Sequence, residues 1–175
     1  MRVFGLLILM LAFLSFGGNG FRGDYVLLNS KEFKVKGETS VGKFSCKYSL
    51  TTKDTLFLNQ TKGLADKIPV NDFRCGNFLL NRDFRKTLKV KDFPDASFIL
   101  SQIEKENDRY LYDLTVLIAG EEKKLKRLEL TPKDNGLFGE IKLKFSDFNL
   151  EPPQKLGGAI KIEENIELEI YLSAE

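Results

Sequence analysis

The chain has 175 residues, with 27 Lys and Arg against 25 Asp and Glu, no His, no Trp, two Cys and 15 Phe. That length suits one domain at roughly 100–200 residues each, and charges of both signs are interspersed rather than gathered into the basic stripe that nucleic acid requires. The absence of His removes the commonest general base and the commonest metal ligand. No phosphate-binding glycine loop, GxSxG elbow, CxxC or HExxH is present, so motif-borne enzymes are excluded and no metal site is expected.

Met1 and Arg2 lead into the apolar run Val3 to Phe16, followed by Gly17-Gly18-Asn19-Gly20. This reads as a signal peptide over 1–20 with a small-x-small cleavage site, because the run is shorter than the roughly 20 apolar residues of a membrane span. The mature chain, 21–175, is then expected in the periplasm or outside the cell. An exported chain meets an oxidising compartment, so Cys46 and Cys75 are expected to form a disulfide, with two separately buried thiols as the alternative.

After the short apolar start Tyr25 to Leu28, the segment Glu32 to Gly37 alternates apolar with charged residues, as a half-buried strand does. Val41 to Tyr48 repeats this and sets Phe44, Cys46 and Tyr48 on one face. Ser49 to Asp66 is polar and poorly patterned, with Asn59-Gln60-Thr61 a weak match to an N-glycosylation acceptor. Ile68 to Phe73 reads as a strand with Pro69 near its start. Asn77 is a candidate N-cap for a helix to about Lys89, with Leu80, Phe84 and Leu88 on one face and Arg82, Asp83, Arg85 and Lys86 elsewhere. A helix this short must lay its apolar face on something, either as a plug at one end of a β-structure or as a lid over a ligand.

Ala96 to Leu100 is the next strand, and Tyr110 to Ile118 carries Tyr110, Tyr112, Leu114, Val116 and Ile118 on one phase against Asp113 and Thr115. A turn at Ala119 to Glu122 leads back through Lys124 to Leu130 as a hairpin, with Lys123-Lys124-Leu125-Lys126-Arg127 its solvated end. Gly139 to Phe145 sets Ile141, Leu143 and Phe145 against Glu140, Lys142 and Lys144. Ser146 to Gly158 is a loop. The last strand, Ile162 to Leu172, sets Ile166, Leu168, Ile170 and Leu172 against Glu167, Glu169 and Tyr171. Asp72 and Asp83, the carboxylates considered for acid–base work, read as surface and capping charges.

About eight or nine short strands with one helix predict an all-β antiparallel fold. Short sequential connections favour an up-and-down barrel, which is filled by its own side chains or holds one apolar ligand.

The ordered set Phe33-Lys-Val-Lys-Gly37, Phe44-Ser-Cys46, Ile68 to Phe73, Asn81 to Leu88, Phe93-Pro94 with Ser97-Phe98, Leu114 to Gly120 and Lys144 to Phe148 resembles YceI-like proteins. The resemblance runs from about Tyr25 to Leu172, and its most specific part is Arg82-Asp83, Leu88, Phe93-Pro94 and Phe98. It implies an exported, extended lipocalin-like barrel of about eight strands with one short helix, whose relatives hold a polyisoprenoid or similar amphiphile. On that basis the chain is expected to bind a polyisoprenoid, an isoprenoid quinone or a similar lipid without catalysis. It needs no cofactor beyond a bound prenyl-type lipid. The candidate lining residues are Phe44, Phe73, Phe98, Leu114, Val116, Ile118, Phe145, Leu168 and Ile170, with Leu80 and Phe84 from the helix. Arg82, Arg85 and Lys89 are candidates for an anionic head group. The expected partner is a hydrophobic small molecule or lipid, with transient membrane contact and a homodimer as further candidates. Two competing readings are a filled barrel acting at the cell envelope through surface contacts, and a small lipid-modifying enzyme. The enzyme would need a polar group on the dry phase, where Asp113 and Thr115 do not point.

Overall fold

The computed structural model describes residues 21–22, 25–58, 63–155, 157 and 159–175. The signal-peptide segment 1–20 and the glycosylation triplet at Asn59 lie outside them. The elements in chain order are β1 (Phe21–Arg22), β2 (Tyr25–Thr39), β3 (Gly42–Phe57), β4 (Leu64–Pro69), α1 (Phe78–Thr87), β5 (Asp95–Glu106), β6 (Arg109–Ile118), β7 (Glu121–Lys133), β8 (Gly136–Lys144), β9 (Gln154–Lys155) and β10 (Ile160–Ala174). Single 3-10 turns follow β4 at Val70–Asp72 and β8 at Phe145–Phe148.

Eight long antiparallel strands run in the order β3-β2-β10-β8-β7-β6-β5-β4, while the two-residue strands β1 and β9 pair with β2 and β10. The sheet curls into a nearly closed barrel, which leaves β3 and β4 as the two ends of the ladder. At one level this seam is stitched by an isolated bridge in which Lys47 and Arg74 exchange both backbone hydrogen bonds, at 2.9 and 2.8 Å. One residue further along, Cys46 and Cys75 are disulfide-bonded with their Cα atoms 4.0 Å apart.

Alternation fills the interior. On β10, Leu168, Ile170 and Leu172 are buried, on β8 Ile141 and Leu143, and on β6 Tyr112, Leu114 and Val116. Full burial of each such side chain is worth roughly 1.5–3 kcal/mol, which is what holds the two sides of the barrel together. Ring contacts add to this across the interior, with Phe33 on β2 and Phe98 on β5 at 4.8 Å between centroids.

Three stretches differ from the sequence expectation. Tyr25 to Leu28 and Glu32 to Gly37 are one strand, because a register shift between Leu28 and Ser30 lets the chain continue with a changed phase. Ser49 to Asp66 is not irregular throughout, since β3 runs on to Phe57 and β4 begins at Leu64. The strand expected over Ile68 to Phe73 ends at Pro69, which lacks a backbone donor to continue the ladder.

Candidate functional site

The helix α1 closes one end of the barrel, and its start is set by local chemistry. The Asn77 side chain accepts the Leu80 N–H at 2.9 Å, so an otherwise orphaned helix donor is satisfied. Asn81 Oδ1 accepts the Cys75 N–H at 2.8 Å and ties the first turn back to the disulfide. Gly76, with φ of 88°, and Lys89, with φ of 52°, bracket the helix with left-handed backbone. Arg85 Nη2 donates to the Asn71 carbonyl at 2.8 Å.

No residue of α1 is fully buried, and Leu80, Phe84 and Leu88 are half-buried on its inner face. Phe84 packs on Phe73 at 5.2 Å between ring centroids, and Phe73 on Tyr48 at 5.8 Å. Between this face and the strand ends lies an apolar cavity of about 60 Å3. Val35, Phe44 and Cys46 line it from β2 and β3, Ile162 and Ile166 from β10, Ile118 from the end of β6 and Phe145 from the 3-10 turn after β8. Asp83, Thr87 and Pro153 complete the rim. The Phe44 ring presents an edge to Gly37, where an added Cβ would come 2.5 Å from it, so a larger residue at 37 would displace this ring from the cavity.

Of the eleven lining residues expected from sequence, the cavity brings together Phe44, Leu80, Phe84, Ile118 and Phe145. Phe73, Phe98, Leu114, Val116, Leu168 and Ile170 are buried in the packed core instead of lining it. Val35, Cys46, Ile162, Ile166 and Leu88 were not on that list, although Cys46, Ile162, Ile166 and Leu88 each share the inward phase of a residue that was, and Val35 that of Phe33 on β2. Pro153 sits in a loop with no periodic signal.

The head-group candidates lie on or beside α1 and none lines the cavity. The Arg82 side chain is 60% exposed and stands 3.8 Å from Asp83. Lys89 is exposed, while Arg85 is half-buried, and its buried Nε has no hydrogen-bond partner among the described residues. The outer face of α1 presents Phe78 and Leu79, at 74% and 58% exposed, beside Arg82 and Lys86.

Polar groups also stand on the dry phase. Lys31 points inward on β2, is 2% exposed, and donates at 2.7 Å both to Asp54 on β3 and to Asp66 on β4. Burial pushes the Asp54 carboxyl up, but the Lys31 ammonium and the Thr55 N–H outweigh it and hold the group below its ordinary value of 3.8. Asp66 Oδ2 is buried with no hydrogen-bond partner among the described residues, as is the Tyr112 hydroxyl, whose phenol is pushed up by burial. Lys31 keeps the inward phase of Phe33, and the phase changes only beyond it, at the register shift between Leu28 and Ser30. Neither Lys31, Asp66 nor Tyr112 lines the apolar cavity. On the outer face Glu140, Glu167 and Glu169 converge, with Lys34 and Lys36 paired to the latter two.

Among known structures, the fold is similar to that of BcnA from Burkholderia cenocepacia, with a TM-score of 0.55 and 16% identity over 83% of this chain and 96% of that one. It is also similar to a polyisoprenoid binding domain from Saccharophagus degradans, with a TM-score of 0.52 and 11% identity over 87% of this chain and 99% of that one. Comparison with curated proteins finds no match. The family description "YceI-like domain" matches residues 25–174, from the first long strand to the end of the last, and the chain belongs to the YceI-like family.

Proposed function

We propose that this barrel is an exported, non-catalytic binding protein for an amphiphilic lipid of the polyisoprenoid or isoprenoid-quinone type, whose apolar end enters beneath α1. The observation that carries the reading is the apolar cavity between the inner face of α1 and the barrel end, in a chain whose family is YceI-like. A fold shared with a polyisoprenoid binding domain supports the ligand class. Ligand pockets usually span roughly 300–1,000 Å3, so a cavity of about 60 Å3 is a closed state. A lipid then enters by lifting a helix that is nowhere fully buried. The disulfide between Cys46 and Cys75 supports an oxidising compartment such as the periplasm. The outer face of α1, with Phe78 and Leu79 among basic residues, suits contact with an anionic bilayer from which such a lipid would be drawn.

The same small volume gives a second reading its footing, a filled barrel that acts through surface contacts. Organic extraction of the protein purified from the cell envelope, followed by mass spectrometry, separates the two. A stoichiometric isoprenoid in the extract is the expected result, and repeated recovery of none sinks the carrier reading.

A further inference from the structure

The inward face of β2 gives the depth of the interior, residue by residue. Val35 lines the cavity. Phe33, the next inward residue, is buried below the cavity wall rather than on it, and meets Phe98 of β5 at 4.8 Å. Lys31 comes next, bound at 2.7 Å to both Asp54 and Asp66, and Asp66 is paired in register with the same Phe98. Beyond the register shift, Leu28 and Val26 belong with Leu56 and Leu64 to the buried apolar core. An aromatic layer backed by an ionic layer therefore divides the interior into an open end and a filled end.

These two layers resist a ligand differently. A phenylalanine ring moves aside by changing rotamer, so the aromatic layer below the cavity can give way when an apolar chain pushes on it. Lys31 cannot be passed in this way. A chain threading by it would separate an ammonium that is 2% exposed from its carboxylates, and both would be stranded against hydrocarbon. The Asp54 side chain is 39% exposed at the β3–β4 seam, whereas that of Asp66 is 10% exposed and has one buried oxygen with no hydrogen-bond partner among the described residues.

We propose that Lys31, held between Asp54 and Asp66, is the residue that sets how deep an apolar chain can enter and therefore the chain length the barrel prefers. The inference rests on the lipid-binding reading above. Val35 and Lys31 are four positions apart, so the usable depth below the cavity wall is about 13 Å at ~3.3 Å per strand residue. Any further length of prenyl chain stays outside, at the α1 end.

The test is competition by prenyl alcohols of increasing length, from geraniol through farnesol and geranylgeraniol to solanesol, against a bound fluorescent fatty acid. For the wild-type protein, affinity is expected to climb with length and then level off once the depth is filled. In Lys31→Met/Asp66→Leu the climb continues, by at least about tenfold for the first isoprene unit past the wild-type plateau. Lys31→Gln/Asp66→Asn removes the charges with less change of shape and serves if the first variant fails to fold, with the same lengthening expected. A folded variant whose plateau falls at the wild-type length overturns the proposal while leaving lipid binding intact. Wild-type affinity that rises through solanesol without levelling also overturns it. Failure of every alcohol to compete overturns the lipid-binding reading, and this proposal with it.

Discussion

The β3–β4 seam is fastened at two levels, and the two fastenings sit beside very different interiors. Near α1 the fastening is covalent, with Cys46–Cys75 next to the Lys47–Arg74 backbone bridge, and the interior beside it is an apolar cavity under a half-buried helix. Further down it is ionic, with Lys31 gripping a carboxylate from each side of the seam, and the interior beyond is buried apolar core. A disulfide holds two backbones together without filling the space inside the barrel. A buried lysine also closes the seam, but it places a charge in the interior that no apolar chain can share. The open end can therefore change shape, and the ionic end cannot.

The largest effect should come from breaking the ionic fastening on one side only. Lys31→Met leaves Asp66 buried without its counter-charge and should cost about 3–5 kcal/mol. Adding Asp66→Leu should restore most of that loss, as read by urea unfolding. Equal losses in the single and double variants would mean that the pair holds the seam by attraction alone. Next in size is the disulfide, which closes a span of 29 residues. The Cys46→Ala/Cys75→Ala variant should lose about 3–4 kcal/mol on the chain-entropy argument, with hydrogen exchange accelerated most over 74–89. Uniform acceleration over all strands would show that the covalent end is no more separable than the ionic one. The smallest change in stability is expected for Phe78→Ser/Leu79→Ser, within about 0.5 kcal/mol because both side chains already face solvent. That variant should nevertheless lose co-sedimentation with phosphatidylglycerol vesicles. Retained co-sedimentation would remove the outer face of α1 as the membrane contact.

Much of the architecture was legible in the residues. Gly139 to Phe145 alternates without interruption, because β8 has one face on the core and the other in water. The helix was legible from Asn77 and the Leu80, Phe84, Leu88 stripe, which owe nothing to distant contacts. Two things were not legible. Alternation tells which face a residue occupies but not its height along the barrel, so Ile166 at the cavity and Leu168 in the core look alike in sequence. The stretch Ser49 to Asp66 lost its pattern because it borders the seam, where inward positions take charge: Asp54 and Asp66 occupy sites that an apolar residue would fill in a closed ladder. Only the fold shows that Lys31 answers them both.

The central claim is that an apolar chain is held beneath α1. Its most direct test is the lipid load of wild-type protein and of Phe84→Asp, expressed and purified in parallel and measured by extraction and mass spectrometry. Phe84 lines the cavity yet is only half-buried, so the variant should keep its fold while a charge enters the space the lipid needs. About one isoprenoid per wild-type chain is expected, with a loss of at least about tenfold in the folded variant. A folded Phe84→Asp protein carrying the wild-type load would contradict it, and α1 would then be a plug on a barrel that keeps its ligand elsewhere or has none.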